Sequence, residues 1–182
     1  MPITIALLRG INVGGKRMKM ADLRYLFDDM GFSDAKTMLQ TGNVVFETDV
    51  SDHQELVTRI EASIQEEFGF ESKIIIRSQA ELIHIFENSP FTAQQLTEPS
   101  KSAVIFLGGT PDAAAIDDLM QAHDGPETVT VRGQEVFAFY PEGMGRSTLD
   151  HKLIEKSLKV NGTARNWNTV TKLIALADEF GA

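Results

Sequence analysis

An α+β fold of two similar lobes, each running strand-helix-strand-strand-helix-strand with one more helix behind it, follows from three features of the 182-residue sequence. Short β-branched runs alternate with amphipathic stretches of helical period along the whole chain. The order of those stretches in residues 1–90 recurs in residues 101–182. Between the halves, Pro90 and Pro99 bracket a linker over residues 91–100.

The first strand is the apolar run Ile3 to Leu8, which ends in a Gly-rich loop reaching Lys19. A helix follows over Met20 to Met30, with Leu23, Leu26, Phe27 and Met30 on one face and Gly31 as its stop. Lys36 to Leu39 and Asn43 to Glu47 form a hairpin across Gln40, Thr41 and Gly42, where Gly42 or Asn43 takes positive φ. The next helix spans Asp52 to Phe68, opened by a Ser51/Gln54 capping box and closed by Gly69, with Val57, Ile60, Ile64 and Phe68 facing inward. Ser72 to Arg77 is a buried strand, and Ser78 with Glu81 caps the helix carrying Leu82, Ile83 and Phe86. This βαββαβ order is the split βαβ of ferredoxin-like folds, with a helix appended.

The second half repeats it: strand Ala103 to Leu107, helix Asp112 to His123, strands Thr128 to Arg132 and Glu135 to Tyr140, helix Leu149 to Leu158, strand Gly162 to Trp167, helix Thr169 to Phe180. Thr110 and Pro111 supply a cap and a first-turn proline, and Gly133 supplies the hairpin turn. The hairpins, the last strands and the final helices of the two halves are offset by about 91 to 92 residues, whereas the first strands are offset by about 99. The first lobe therefore carries extra residues after its first strand, 9–19, and the second after its third, 141–146. Loops longer than their connection requires are where function concentrates.

Composition narrows the function classes. Hydrophobic residues at 42% and charged residues at 24% are those of a folded domain, which excludes long disorder. The formal charge of −9 repels polyanions and disfavours nucleic acid as a partner. No cysteine is present, which excludes disulfides, thiolate metal sites and a cysteine nucleophile, and fits the expected cytoplasmic location. The first apolar run is too short for a signal peptide or a span, so no membrane association is expected. His53, His84, His123 and His151 lack the spacing of a zinc pair, and no metal site is expected. Met18, Met20 and Met30 read as core filler.

Four stretches carry candidate site residues. Gly10 to Lys16 matches the G-x-x-x-x-G-K part of a phosphate-binding loop, but Arg17 stands where that loop needs a magnesium-holding Ser or Thr. What remains is an anion-binding loop, with Gly10, Gly14 and Gly15 beside Arg9, Lys16, Arg17 and Lys19, set against a plain solvated turn. Gln40, Thr41, Gly42 and Asn43 place amides and a hydroxyl at a hairpin tip, where turn chemistry alone also explains them. Gly145, Arg146 and Ser147 precede a helix that Ser147 can cap with Asp150 as box-like partner; an anion there would settle Arg146 against the helix dipole. Arg165 and Asn166 precede Trp167, which reads as packing rather than base stacking, and Asn168 can cap the last helix.

Those stretches resemble a bacterial family, domain-of-unknown-function family 1697. The matching residues are Leu8-Arg9-Gly10-Ile11-Asn12-Val13-Gly14-Gly15, Met20, Leu23, Gln40-Thr41-Gly42-Asn43-Val44-Val45-Phe46, Gly145-Arg146-Ser147 and Thr163-Ala164-Arg165-Asn166-Trp167-Asn168-Thr169-Val170. Thr41 stands where the family commonly has Ser, which keeps the hydroxyl. The resemblance implies ferredoxin-like lobes and brings no established activity.

The expectation is that Arg9, Asn12, Lys19, Gln40, Asn43, Arg146, Arg165 and Asn166, with Gly10, Gly14, Gly15, Thr41 and Ser147, converge near a groove between the lobes. They would bind an anionic small molecule, a phosphorylated or carboxylated metabolite or a nucleotide. No general base is discernible beside them, so whether the protein is an enzyme stays open; no cofactor is named and no oligomeric state is set. Two alternatives remain: an RNA-binding module using Phe46, since RNA-recognition domains share the βαββαβ order, and a structural or interaction protein without a ligand.

Overall fold

The structure is a computed structural model that describes residues 1–180. Among these the chain runs β1 (Ile3–Leu8), α1 (Met20–Asp29), β2 (Lys36–Met38), β3 (Asn43–Glu47), α2 (His53–Phe68), β4 (Ile74–Ser78), α3 (Gln79–Glu87) and α4 (Ala93–Leu96). It continues through β5 (Ser102–Leu107), α5 (Ala113–Ala122), β6 (Thr128–Arg132), β7 (Glu135–Phe139), a 3-10 turn (Met144–Arg146), α6 (His151–Leu158), β8 (Gly162–Asn166) and α7 (Trp167–Asp178). Two four-stranded antiparallel sheets result, ordered β2-β3-β1-β4 and β6-β7-β5-β8. In each, the first strand of the set lies between its third and fourth, the ferredoxin-like arrangement, and the α+β class expected from the sequence is the one adopted. The chain divides into two compact units, Met1–His84 with the stretch from Leu173 onward, and Ile85–Lys172. Helices α3 and α7 therefore each contribute to both units.

In the first unit alternate strand residues Ala6, Leu8, Val44, Phe46, Ile74 and Ile76 meet Leu23, Leu26 and Phe27 of α1 and Leu56, Ile60 and Ile64 of α2. Phe46 packs edge-on to Phe27, with ring centres 5.1 Å apart, and against Phe32 at 4.8 Å. The intervening residues Ile5, Leu7, Val45 and Ile75 are buried as well, which explains why β1 reads as a continuous apolar run rather than an alternation. The second unit repeats the pattern, with Ala103, Ile105, Leu107, Val136 and Ala138 packed with Leu119 of α5 and Ile154 and Leu158 of α6. Each fully buried side chain of this size contributes about 1.5–3 kcal/mol, so these two cores dominate stability.

Helix starts differ from expectation by one or two residues. Asp52, not Ser51, caps α2, its Oδ1 accepting from the Gln54 and Glu55 N–H groups at 2.8 and 3.2 Å. Asp112 caps α5 and Asp150 caps α6. The last helix begins at Trp167, which puts Asn168 inside its first turn and leaves capping to Asn166. Where two capping residues are near neighbours, the one at the turn of the backbone wins, and a carboxylate there also meets the helix dipole. The Ser78/Glu81 pair forms as expected, with reciprocal bonds at 2.7 and 3.2 Å. Within the expected linker stands α4, a single turn held by a Thr92/Gln95 capping box. No helix among the described residues is long and apolar enough to cross a membrane.

Candidate functional site

The long loop after β1 is pinned at its root. The Leu8 N–H donates to Gly42 O at 2.8 Å, the Arg9 N–H to Lys73 O at 2.9 Å, and Ser72 Oγ to Arg9 O at 2.8 Å. Gly42 sits at φ +81°, and a Cβ there would lie 2.5 Å from Ile11 Cδ1 and 2.8 Å from Leu8 Cβ, so the loop lies directly on the hairpin tip. Asn12, itself left-handed at φ +55°, joins the two segments. Its Oδ1 accepts from the Met18 N–H at 2.9 Å and its Nδ2 donates to Gln40 O at 2.7 Å.

This junction walls an open cavity of about 580 Å³, whose polar lining is Asn12, Arg17, Lys19, Asp22 and Gln40. The structure thus brings together Asn12 and Lys19 from the loop and Gln40 from the hairpin. Among the described residues the charged ends of Arg17 and Lys19 and the carboxamide of Gln40 have no hydrogen bond or ion pair. Lys19 is also the N-cap of α1 and offers its first turn no side-chain acceptor, unlike the caps of α2, α5 and α6. Cations beside open first-turn N–H groups are an arrangement that accepts an anion.

The other candidates of this unit have roles in the fold. Gly10, Gly14 and Gly15 hold φ of +67°, +56° and +87° on the exposed loop. Lys16 turns away from the glycines, donating from Nζ to Glu71 O at 2.9 Å and lying 5.9 Å from the Phe70 ring centre. Arg9 is half-buried and engaged within the fold. Asn43 is wholly buried in β3; its Nδ2 donates to Met38 O at 2.7 Å and to Thr41 Oγ1 at 3.2 Å, closing the hairpin from inside. Of the two residues expected to take positive φ, Gly42 does so and Asn43 does not; Leu39, at φ +62°, takes the other left-handed position of the hairpin. Phe46 is 0% exposed, so it presents no ring to a base.

In the second unit Arg146 is exposed at the end of the 3-10 turn. Ser147, expected to cap α6, instead donates from Oγ to Glu127 Oε1 and accepts from the Leu149 N–H at 2.9 Å, clasping the loop to the start of β6. The side chains of Glu127 and His123 are only 5% and 8% exposed, with Glu127 Oε2 3.8 Å from His123 Nε2, and Glu127 Oε2 and His123 Nδ1 have no hydrogen-bond partner among the described residues. Gly125 lies against both, and a Cβ there would collide with Glu127 Oε2. Tyr140 donates to Leu149 O at 3.1 Å, and burial, then Glu127 and Asp150, push its pKa well above the usual phenol range.

Arg165 is buried, donating from Nη1 to Thr163 Oγ1 at 2.7 Å and Ala164 O at 2.9 Å; burial lowers its pKa to about 10, which leaves it charged at neutral pH. Gly162 and Ala164 line a cavity of about 210 Å³ with Met144 and Leu149, so Arg165, the next residue along the strand, belongs to the opposite face of the sheet. Asn166 Oδ1 accepts from the Thr169 N–H and Oγ1 at 3.0 and 3.1 Å. Trp167 stacks on Phe86 with ring centres 5.1 Å apart and meets Phe91 edge-on at 5.3 Å, as a packing residue does.

The family model described as a protein of unknown function, DUF1697, matches residues 1–137. The chain belongs to the DUF1697 family. No curated protein matches it. Among solved structures, a conserved bacterial protein from Streptococcus pneumoniae is similar, with a TM-score of 0.76 and 19% identity over 98% of this chain and 99% of that one. That likeness is one of fold.

The DUF1697 match includes the loop and hairpin that build the first-unit cavity and ends before Arg146, Ser147, Arg165 and Asn166. Arg17 is the cavity residue that sequence reasoning left out of the site, although it counts among the loop's cations; what drew attention was its failure to be a Ser or Thr. Asp22, an acidic residue early in α1, carries a sequence signal only for a helix start. The Glu127–His123–Ser147 cluster had no signal, because its members come together only through the path of the chain.

Proposed function

We propose that the first unit binds an anionic small molecule, a phosphorylated or carboxylated metabolite or a nucleotide, in the cavity between the β1–α1 loop and the β2–β3 hairpin. The observation that carries it is the pairing, in one cavity of about 580 Å³, of two cations that have no partner among the described residues with the carboxamides of Asn12 and Gln40. Arg17 supplies a planar fork suited to two oxygens of a phosphate or carboxylate, and Lys19 a point charge. Gln40, whose backbone carbonyl is held by Asn12, selects the ligand's orientation. The size falls within the range of small-molecule sites.

A thermal-shift titration tests it. A ligand present at about 100 times its dissociation constant adds about 2.7 kcal/mol of stability. The double variant Arg17→Ala/Lys19→Ala is expected to abolish that gain while unfolding, without ligand, at or slightly above the wild-type temperature, since two cations leave the start of α1. A shift that survives the double variant, or a screen of phosphorylated and carboxylated metabolites and nucleotides that shifts nothing, counts against the proposal.

A further inference from the structure

Resting on the anion-binding proposal, we infer that the ligand is an anion of low charge that carries a largely apolar planar ring, rather than a bare anion, a sugar phosphate without such a ring or a highly charged anion. The remaining wall of the cavity is made by Met18, Met20 and Phe68. Met20 and Phe68 are half-buried: each packs on the core and still keeps surface in the cavity wall. A phosphate or sugar phosphate leaves thioether and phenyl surface wet, whereas a flat apolar ring displaces that water and meets sulfur and aromatic carbon, both of which favour such contacts. The cavity, at about 580 Å³, also has room for far more than a phosphate group.

Charge sets the other limit. Arg17 and Lys19 against Asp22 leave the lining at +1 (2 − 1), while the chain as a whole carries −9. A carboxylate or a monophosphate is matched by two cations; the further charges of a triphosphate or a polynucleotide would meet Asp22 and an acidic molecule. Asp22 is an acceptor when ionised and Gln40 both donates and accepts, so a ligand bearing an N–H or O–H group on its apolar body is better satisfied than a pure hydrocarbon acid. Nucleoside monophosphates and aromatic carboxylates share this chemistry.

Calorimetric titration of the full chain with inorganic phosphate, ribose 5-phosphate, adenosine monophosphate, adenosine triphosphate and indole-3-carboxylate tests the inference. Adenosine monophosphate or indole-3-carboxylate is expected to bind about tenfold or more tightly than phosphate and ribose 5-phosphate, and adenosine triphosphate no more tightly than the monophosphate. Whichever of the two aromatic anions binds more tightly identifies the source. Phe68→Leu and Met20→Gln should each weaken the aromatic anion while leaving phosphate affinity unchanged; two variants on different helices are used because both side chains also touch the core. Phosphate or ribose 5-phosphate binding as tightly as the aromatic anions, or the triphosphate binding about tenfold more tightly than the monophosphate, overturns this inference and leaves anion binding standing. Binding of none of the five overturns both.

Discussion

Asn12 adopts a left-handed backbone conformation that asparagine tolerates better than most residues, and both ends of its carboxamide are committed, one to the loop and one to the hairpin. Removing that side chain should therefore affect the site more than the core. Asn12→Ala is expected to lower stability by about 1–2 kcal/mol and to weaken anion binding by more than about tenfold, because Gln40 is no longer held. Asn12→Gly keeps the backbone angle and loses the staple, so in it the stability loss should shrink while the binding loss persists. Chemical denaturation and titration of both variants separate these effects, and unimpaired binding in both would show that the staple does not shape the site. Asn43 is the instructive contrast, the same amide on the same hairpin, yet wholly buried and occupied by Met38 O and Thr41 Oγ1. Sequence could nominate both and could not rank them, because burial is a property of the folded sheet.

Helix α1 is the one whose start serves the cavity. Lysine is a poor N-cap: it has no acceptor to offer, and its charge repels the positive end of the helix dipole. Lys19→Ser is accordingly expected to stabilise the protein by about 0.5–1 kcal/mol, by capping α1, and to weaken anion binding; a variant that gains no stability, or gains it and binds as well as wild type, contradicts this account of Lys19. The remaining elements were legible because their signals are local. Runs such as Ile74–Ile75–Ile76 mark strands on their own, and Gly69 at φ +73° ends α2 as its position suggests. Caps were less legible: Ser51 and Asp52, or Asn166 and Asn168, compete within a residue or two, and the choice depends on where the backbone turns. The 3-10 turn at Met144–Arg146 shows the same limit, since what holds its loop is a bond from Ser147 to Glu127, distant in sequence.

At the scale of the molecule, the stretch from Leu173 onward belongs to the compact unit that begins at Met1. Leu173 and Ala177 are wholly buried, Gln79 donates to Asp178 at 2.8 Å, and Lys36 pairs with Glu179 at 3.3 Å. A fragment ending at His84 lacks all of these partners. Losing a buried leucine alone removes about 1.5–3 kcal/mol, worth about 10 °C in a unit of this size, so the fragment should melt at least that far below the full chain or lose its cooperative transition. Circular dichroism on heating decides it, and a fragment as stable as the full chain would contradict the division. No sequence pattern announces this return, because α7 carries an ordinary amphipathic stripe; the repeated βαββαβ order was visible, and the division of the final helix between the two units was not. The cavity lining was legible to the same degree, in the motif residues Asn12 and Gln40 and the loop cation Lys19 but not in Arg17, whose worth depends on a cavity the linear chain does not display.

The return of the last helix bears on how the protein is born. A ribosome releases the amino-terminal strands first, and such early segments ordinarily fold as they emerge. Here the strands of the first unit lack their partners from Leu173 onward until that stretch has emerged too, so the unit begun first is completed only after the whole of the intervening unit, Ile85–Lys172, has been synthesised.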